Sequence, residues 1–221
     1  MSSASEIASR SEQFFAYFRA RHRVAGRDDV PLPDRLVILS ASLDALAKHW
    51  LDTSDAATRQ GLRFGMDRMS SFLIAHGGHP AFGKVSAPML RNATGVQAGQ
   101  FPFTEYKPDQ MNEVRDWRDD PNFEDLKSTF DRSVLLRWSY PGMLYVDFRC
   151  AWVHKFVPEN ANIIVSEADY FGRSEPYYRY VGNAGTFLLM MPVAFLLATL
   201  EHAVHSFEQD AQRRGILPFL D

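Results

Sequence analysis

Cysteine is all but absent from this chain. Cys150 stands alone among 221 residues, which excludes an internal disulfide framework and points to a reducing compartment. No excess of one charge is present either. Twenty-four Lys and Arg against 27 Asp and Glu give a formal net charge of −3, which argues against a broadly basic, nucleic-acid-coating surface. A nucleic acid would have to be met by a local patch. Long hydrophobic runs are missing. The most apolar stretch, Phe187 to Leu200, is interrupted by Pro192 and falls short of the roughly 20 residues that a membrane span needs. The start, Met1-Ser2-Ser3-Ala4-Ser5-Glu6, has no basic opening and no apolar run, so neither a secretory signal nor a membrane role is expected, and the expected location is cytoplasmic. There is no internal repeat and no low-complexity tract. Gly83-Lys84 is not followed by Ser or Thr and so makes no P-loop, and no serine-nucleophile elbow is found.

What the chain does have is apolar residues at helical spacing. Hydrophobic residues make up 46% of it, enough for one sizeable core, and residues 1–221 are read as a single domain. Ile7, Phe14, Phe15 and Phe18 predict a first helix over 5–25, ended by Gly26. The core is read over 34–158. Leu36, Leu39, Leu43, Leu46 and Trp50 predict a strong helix opened by Pro33-Asp34, and Asp55 opens another that runs to Gly77-Gly78. A short helix is expected around 86–92. Residues 109–138 are read as helical in two pieces around Pro121, and the next helix is entered at Pro141 and closed before Pro158. Over 160–190 the character changes. Asn162–Ser166 and Pro176–Val181 are β-branched and aromatic runs that predict a small hairpin, with Thr186–Met190 as a third strand. A final helix is expected over 192–214, stopped by Gly215. The fold class is therefore mainly α, with a small β-hairpin insertion before the last helix.

The chemistry concentrates in Phe148-Arg149-Cys150-Ala151-Trp152-Val153-His154. A histidine moves protons near neutral pH, and a permanently charged guanidinium can hold a phosphate as negative charge builds on it. At about 100° per residue, Arg149 and His154 lie roughly 140° apart around an ideal helix, flanking Val146, Cys150 and Val153. The face of Leu144, Tyr145, Phe148, Ala151 and Trp152 belongs to the core. The other face would suit the same helix of a second subunit, and a two-fold axis there would bring two Arg149 and two His154 into one cleft.

Tyr145 to His154 resembles the Arg-x4-6-His motif of HEPN-domain ribonucleases. Leu36–Trp50, with Leu43-Asp44-Ala45-Leu46, is similar to the first core helix of many such proteins. The resemblance implies an up-and-down helical bundle that dimerises through the motif helix. It implies metal-independent cleavage of RNA without a cofactor, in a toxin–antitoxin or phage-defence setting, with an antitoxin or nucleotidyltransferase as a partner. Residue by residue it makes Arg149 and His154 catalytic, gives Asp44 a part in orienting Arg149, and puts Cys150 and Lys155 at supporting positions. Cys150 stands where active members usually carry Asn, Asp or His.

Other readings stay open. The alternative to a ribonuclease is a catalytically inactive module of the same type that binds a partner protein or nucleotide. The plainest account of Arg149 and His154 is a salt-bridged arginine and a core histidine. His76-Gly77-Gly78-His79 and Glu201-His202-Ala203-Val204-His205 lack the spacing of known metal sets, and no metal is expected there, although His202 and His205 keep a helical metal enzyme as a third class. Arg132, Arg137 and Lys155 are candidates for a phosphate-binding patch. Trp117-Arg118-Asp119-Asp120 is read as a solvated face.

Overall fold

A computed structural model describes residues 4–62, 65–94, 114–151, 162–167, 173–181 and 186–216. The protein is mainly helical with a small four-stranded sheet. Helices α1 (Ala4–Ala25) and α2 (Leu32–Asp52) form where apolar residues recur every three or four positions, and Phe14, Phe15, Phe18, Leu36, Leu39, Leu43 and Leu46 are all buried. Pro33 sits in the first turn of α2, where the missing N–H is not needed.

The expected helix from Asp55 to Gly77 is two helices, α3 (Ala56–Gly61) and α4 (Gly65–His76). The Asp55 side chain caps α3 by accepting from the Thr58 amide at 2.8 Å. Gly61 ends it, and Leu62 leaves helical geometry at φ −116° and ψ 40°. Helix α5 (Ala87–Thr94) matches the short helix expected there. The helical reading of 109–138 fails at Val114–Asp116. Val114–Asp116 is a strand, β1, which pairs with Tyr177–Arg179, and helices α6 (Phe123–Leu126) and α7 (Arg132–Trp138) follow. Residues 109–113 lie outside the described residues. The last helix, α9 (Val193–Arg214), closes on Gly215 in the left-handed region at φ 65°, as its C-terminal glycine predicts.

The expected pairing of 162–166 with 176–181 is not made. Strand β4 (Thr186–Pro192) lies between the two, antiparallel to β3 (Tyr177–Val181) on one side and parallel to β2 (Ile163–Ser166) on the other. The sheet order is β1-β3-β4-β2. The most continuously apolar strand takes an inner place, where both faces are covered, and Leu189, Met190 and Met191 are buried. Helix α2 is the hub. It packs on α1, α4, α9 and the segment that carries Arg149, and the sheet joins the same core through Tyr178, Leu189, Met191 and Ile163.

Trp117 and Asp120 are not on a solvated face. Both are buried, and Asp120 is the hub of a polar lock. Its Oδ2 accepts from the hydroxyls of Tyr140 at 2.8 Å and Tyr178 at 2.5 Å, and its Oδ1 accepts from the Ala87 amide at 3.2 Å. The Tyr178 hydroxyl also lies 2.8 Å from Ser86 Oγ. A carboxylate this deep needs such partners. Burial still dominates, and lifts the Asp120 pKa from 3.8 to about 6 against the pull of those hydrogen bonds.

Candidate functional site

Helix α8 (Tyr140–Met143) starts on the Ser139 side chain, which accepts from the Gly142 amide, and carries Pro141 in its first turn. It then widens into a π-helical segment, Leu144–Cys150, where the Ala151 amide donates to the carbonyl of Val146, five residues back. A π turn holds more residues than an α turn, so the 100° wheel does not describe this segment. Leu144, Phe148 and Ala151 face the core as expected, and Asp147 is buried as well. Its carboxylate takes a two-pronged bond from Arg137, with Nη1 and Nη2 each at 2.8 Å, and Arg137 lies over the Trp138 ring.

Two glycines make room for this arrangement. A Cβ on Gly142 would fall 1.7 Å from the Leu136 carbonyl oxygen, and a Cβ on Gly65 would fall 1.9 Å from the Tyr145 hydroxyl. Tyr145 therefore brings its hydroxyl end against the start of α4. Arg149 sits above it, with Cζ 6.0 Å from the ring centroid.

Arg149 reaches across to α2. Its Nε donates to Asp44 Oδ2 at 2.8 Å, and a second arginine, Arg68 of α4, donates from Nη2 to Asp44 Oδ1 at 2.5 Å. One carboxylate thus organises two guanidiniums, and this trio carries a net positive charge. Burial opposes the charge on Arg149, but Asp44 outweighs it and the guanidinium pKa moves up. The Arg149 side chain keeps 26% of its surface open, while Asp44 keeps 11% and Arg68 17%. Arg68 Nε is buried and has no hydrogen-bond partner among the described residues.

Asp44 and Arg149, proposed from sequence, are thus brought together. Cys150 follows Arg149, half-buried. His154 and Lys155 lie outside the described residues. Arg68 was missed. The signal was available, because Arg68 falls on the predicted helix one position before the core residue Met69, but nothing in the sequence tied it to Asp44. Of the suggested phosphate patch, Arg132 pairs with Asp67 at 2.6 Å and Arg137 with Asp147. Among the described residues no three His, Cys, Asp or Glu side chains gather as a metal set, which leaves the His202–His205 metal reading without a site. His76 is a core histidine whose Nδ1 meets Ser206 Oγ at 3.0 Å, and burial lowers its pKa. No described helix is long and apolar enough to cross a membrane.

Compared with protein-family models, with curated proteins and with solved structures, the chain matches none.

Proposed function

We propose that the protein is a metal-independent endoribonuclease of the HEPN type, built on that family's up-and-down bundle. The observation that carries the reading is the pairing of Arg149 with Asp44 at 2.8 Å, with Arg68 on the same carboxylate, five residues before His154. Asp44 fixes a guanidinium that a flexible side chain alone would leave mobile, and fixed charge is what stabilises a phosphorane-like transition state. In the proposed reaction His154 takes the proton from a ribose 2′-hydroxyl, and the freed oxygen attacks the adjacent phosphorus. The bond from phosphorus to the 5′-oxygen breaks, and a protonated imidazole returns a proton to that leaving oxygen. Arg149 holds the non-bridging oxygens throughout. The products are a 2′,3′-cyclic phosphate and a 5′-hydroxyl, and DNA, lacking the nucleophile, is not cut.

The active form is a homodimer in which the helices carrying Arg149 and His154 face each other, in a toxin–antitoxin or phage-defence setting with an antitoxin or nucleotidyltransferase as partner. The half-buried Val146 and Cys150 support such a face, since both are left partly open beside Arg149. Purified protein in EDTA is expected to cleave RNA. Arg149→Ala and His154→Ala are each expected to lose at least about 100-fold in rate while keeping the dimer. Cleavage that requires added divalent metal, or that survives both substitutions, overturns the proposal. A second reading, an inactive module that binds a partner or nucleotide, is favoured by Cys150 at the position after the motif arginine. No cleavage under any condition, together with binding unaffected by His154→Ala, would select it.

A further inference from the structure

Two histidine-bearing segments that the proposed reaction does not use meet where α1 packs on α9. Helices α1 and α9 border a cleft of about 560 Å³, lined by Arg19, His22 and Arg23 from one helix and Glu201, His202 and His205 from the other. That volume falls within the roughly 300–1,000 Å³ typical of small-molecule sites. Spacings of three and four residues put Arg19, His22 and Arg23 on one face of α1, and Glu201 and His205 on one face of α9. Ala198 and Val204 supply an apolar part of the wall.

The cleft is shaped as well as lined. Gly78 holds φ +73°, and a Cβ there would fall 2.3 Å from the His202 ring. The Gly77-Gly78 turn therefore seats His202 against backbone, at a position where a side chain would push it away. Arg19 is paired with Glu208, and His205 with Gln209 at 2.8 Å. Among the described residues no hydrogen bond or ion pair holds the side chain of Arg23, His22 or His202. A chain of net charge −3 has here gathered two guanidiniums and three imidazoles against one lining carboxylate.

We propose that this cleft binds a small phosphomonoester that also carries hydroxyl groups. Arg23, with the imidazoles of His22 and His202, would take the phosphate oxygens, and Glu201 would accept from a hydroxyl. Sugar phosphates and mononucleotides share this chemistry. The inference does not depend on the ribonuclease reading. It is tested by calorimetric titration of the full chain with ribose 5-phosphate, AMP and inorganic phosphate. Saturable binding of ribose 5-phosphate and AMP is expected, weaker by about tenfold or more in Arg23→Ala and in His202→Ala and unchanged in Arg149→Ala. Equal affinity for the two ligands identifies a sugar-phosphate site, whereas binding of AMP alone identifies a nucleotide site. Both substituted residues are exposed, so these variants should keep the wild-type circular dichroism spectrum. No saturable binding of any probe overturns the proposal. So does binding that survives both substitutions, or binding lost in Arg149→Ala.

Discussion

Asp44 is the residue on which the candidate site turns. Removing its carboxylate takes away the group that Arg149 and Arg68 share. Asp44→Ala is therefore expected to reduce RNA cleavage about 100-fold through misplacement of Arg149. Arg68→Ala, which keeps the Asp44–Arg149 pair, should fall between the two. Single-turnover rates on one RNA separate these variants, and equal rates for Asp44→Ala and wild type would remove Asp44 from the site. Asp120 makes a different kind of prediction, about pH. Its folded pKa of about 6 stands above the ordinary 3.8, so between those values the folded protein holds a proton that the unfolded chain releases. This group's contribution is full below 3.8 and is lost as pH rises through about 6, a span worth about 3 kcal/mol. Denaturant titrations of Asp120→Asn from pH 4 to pH 7 should lack that fall in stability. An unchanged slope would mean that another group carries it. Asp120 was misread from sequence because Trp-Arg-Asp-Asp looks solvated. Only the fold brings Tyr140 and Tyr178 to its carboxylate, from 20 and 58 residues away.

At the scale of elements, the long helices were legible and the short ones were not. The phenylalanines of α1 and leucines of α2 repeat often enough to fix a face, and Gly26 and Gly215 stop their helices where a terminal glycine should. Val114–Asp116 offers only three residues, too few for any period to show, and it becomes a strand because β3 presents an edge to pair with. The π-helical segment was equally hidden. A helical sequence pattern does not distinguish four-residue from five-residue hydrogen bonding, and what accompanies the widening here is a tertiary bond, Arg137 to the buried Asp147. Arg137→Ala should accordingly destabilise the fold by about 3 kcal/mol, because it removes a two-pronged ion pair from a buried carboxylate. It should also lower cleavage by loosening the segment that carries Arg149. Urea denaturation measures the first effect, and a loss under about 1 kcal/mol would show that the ion pair is not what holds this segment.

For the molecule as a whole, composition set limits that the fold respects without explaining. A near-neutral chain was expected to keep its cations local, and they sit in separate places: two on Asp44, others neutralised by Asp67 and Asp147, and a further group around the cleft between α1 and α9. Which cations share a carboxylate is a property of packing around α2, and no spacing rule in the sequence contains it. The account's central claim is that Arg149, steadied by Asp44, serves an attack by the RNA's own 2′-hydroxyl. The most direct measurement is the cleavage rate, in EDTA, of a short RNA and of the same strand with a single 2′-deoxynucleotide at the mapped scissile position. The account predicts cleavage of the first to a 2′,3′-cyclic phosphate and none of the second at that position. Equal cleavage of both strands would contradict it.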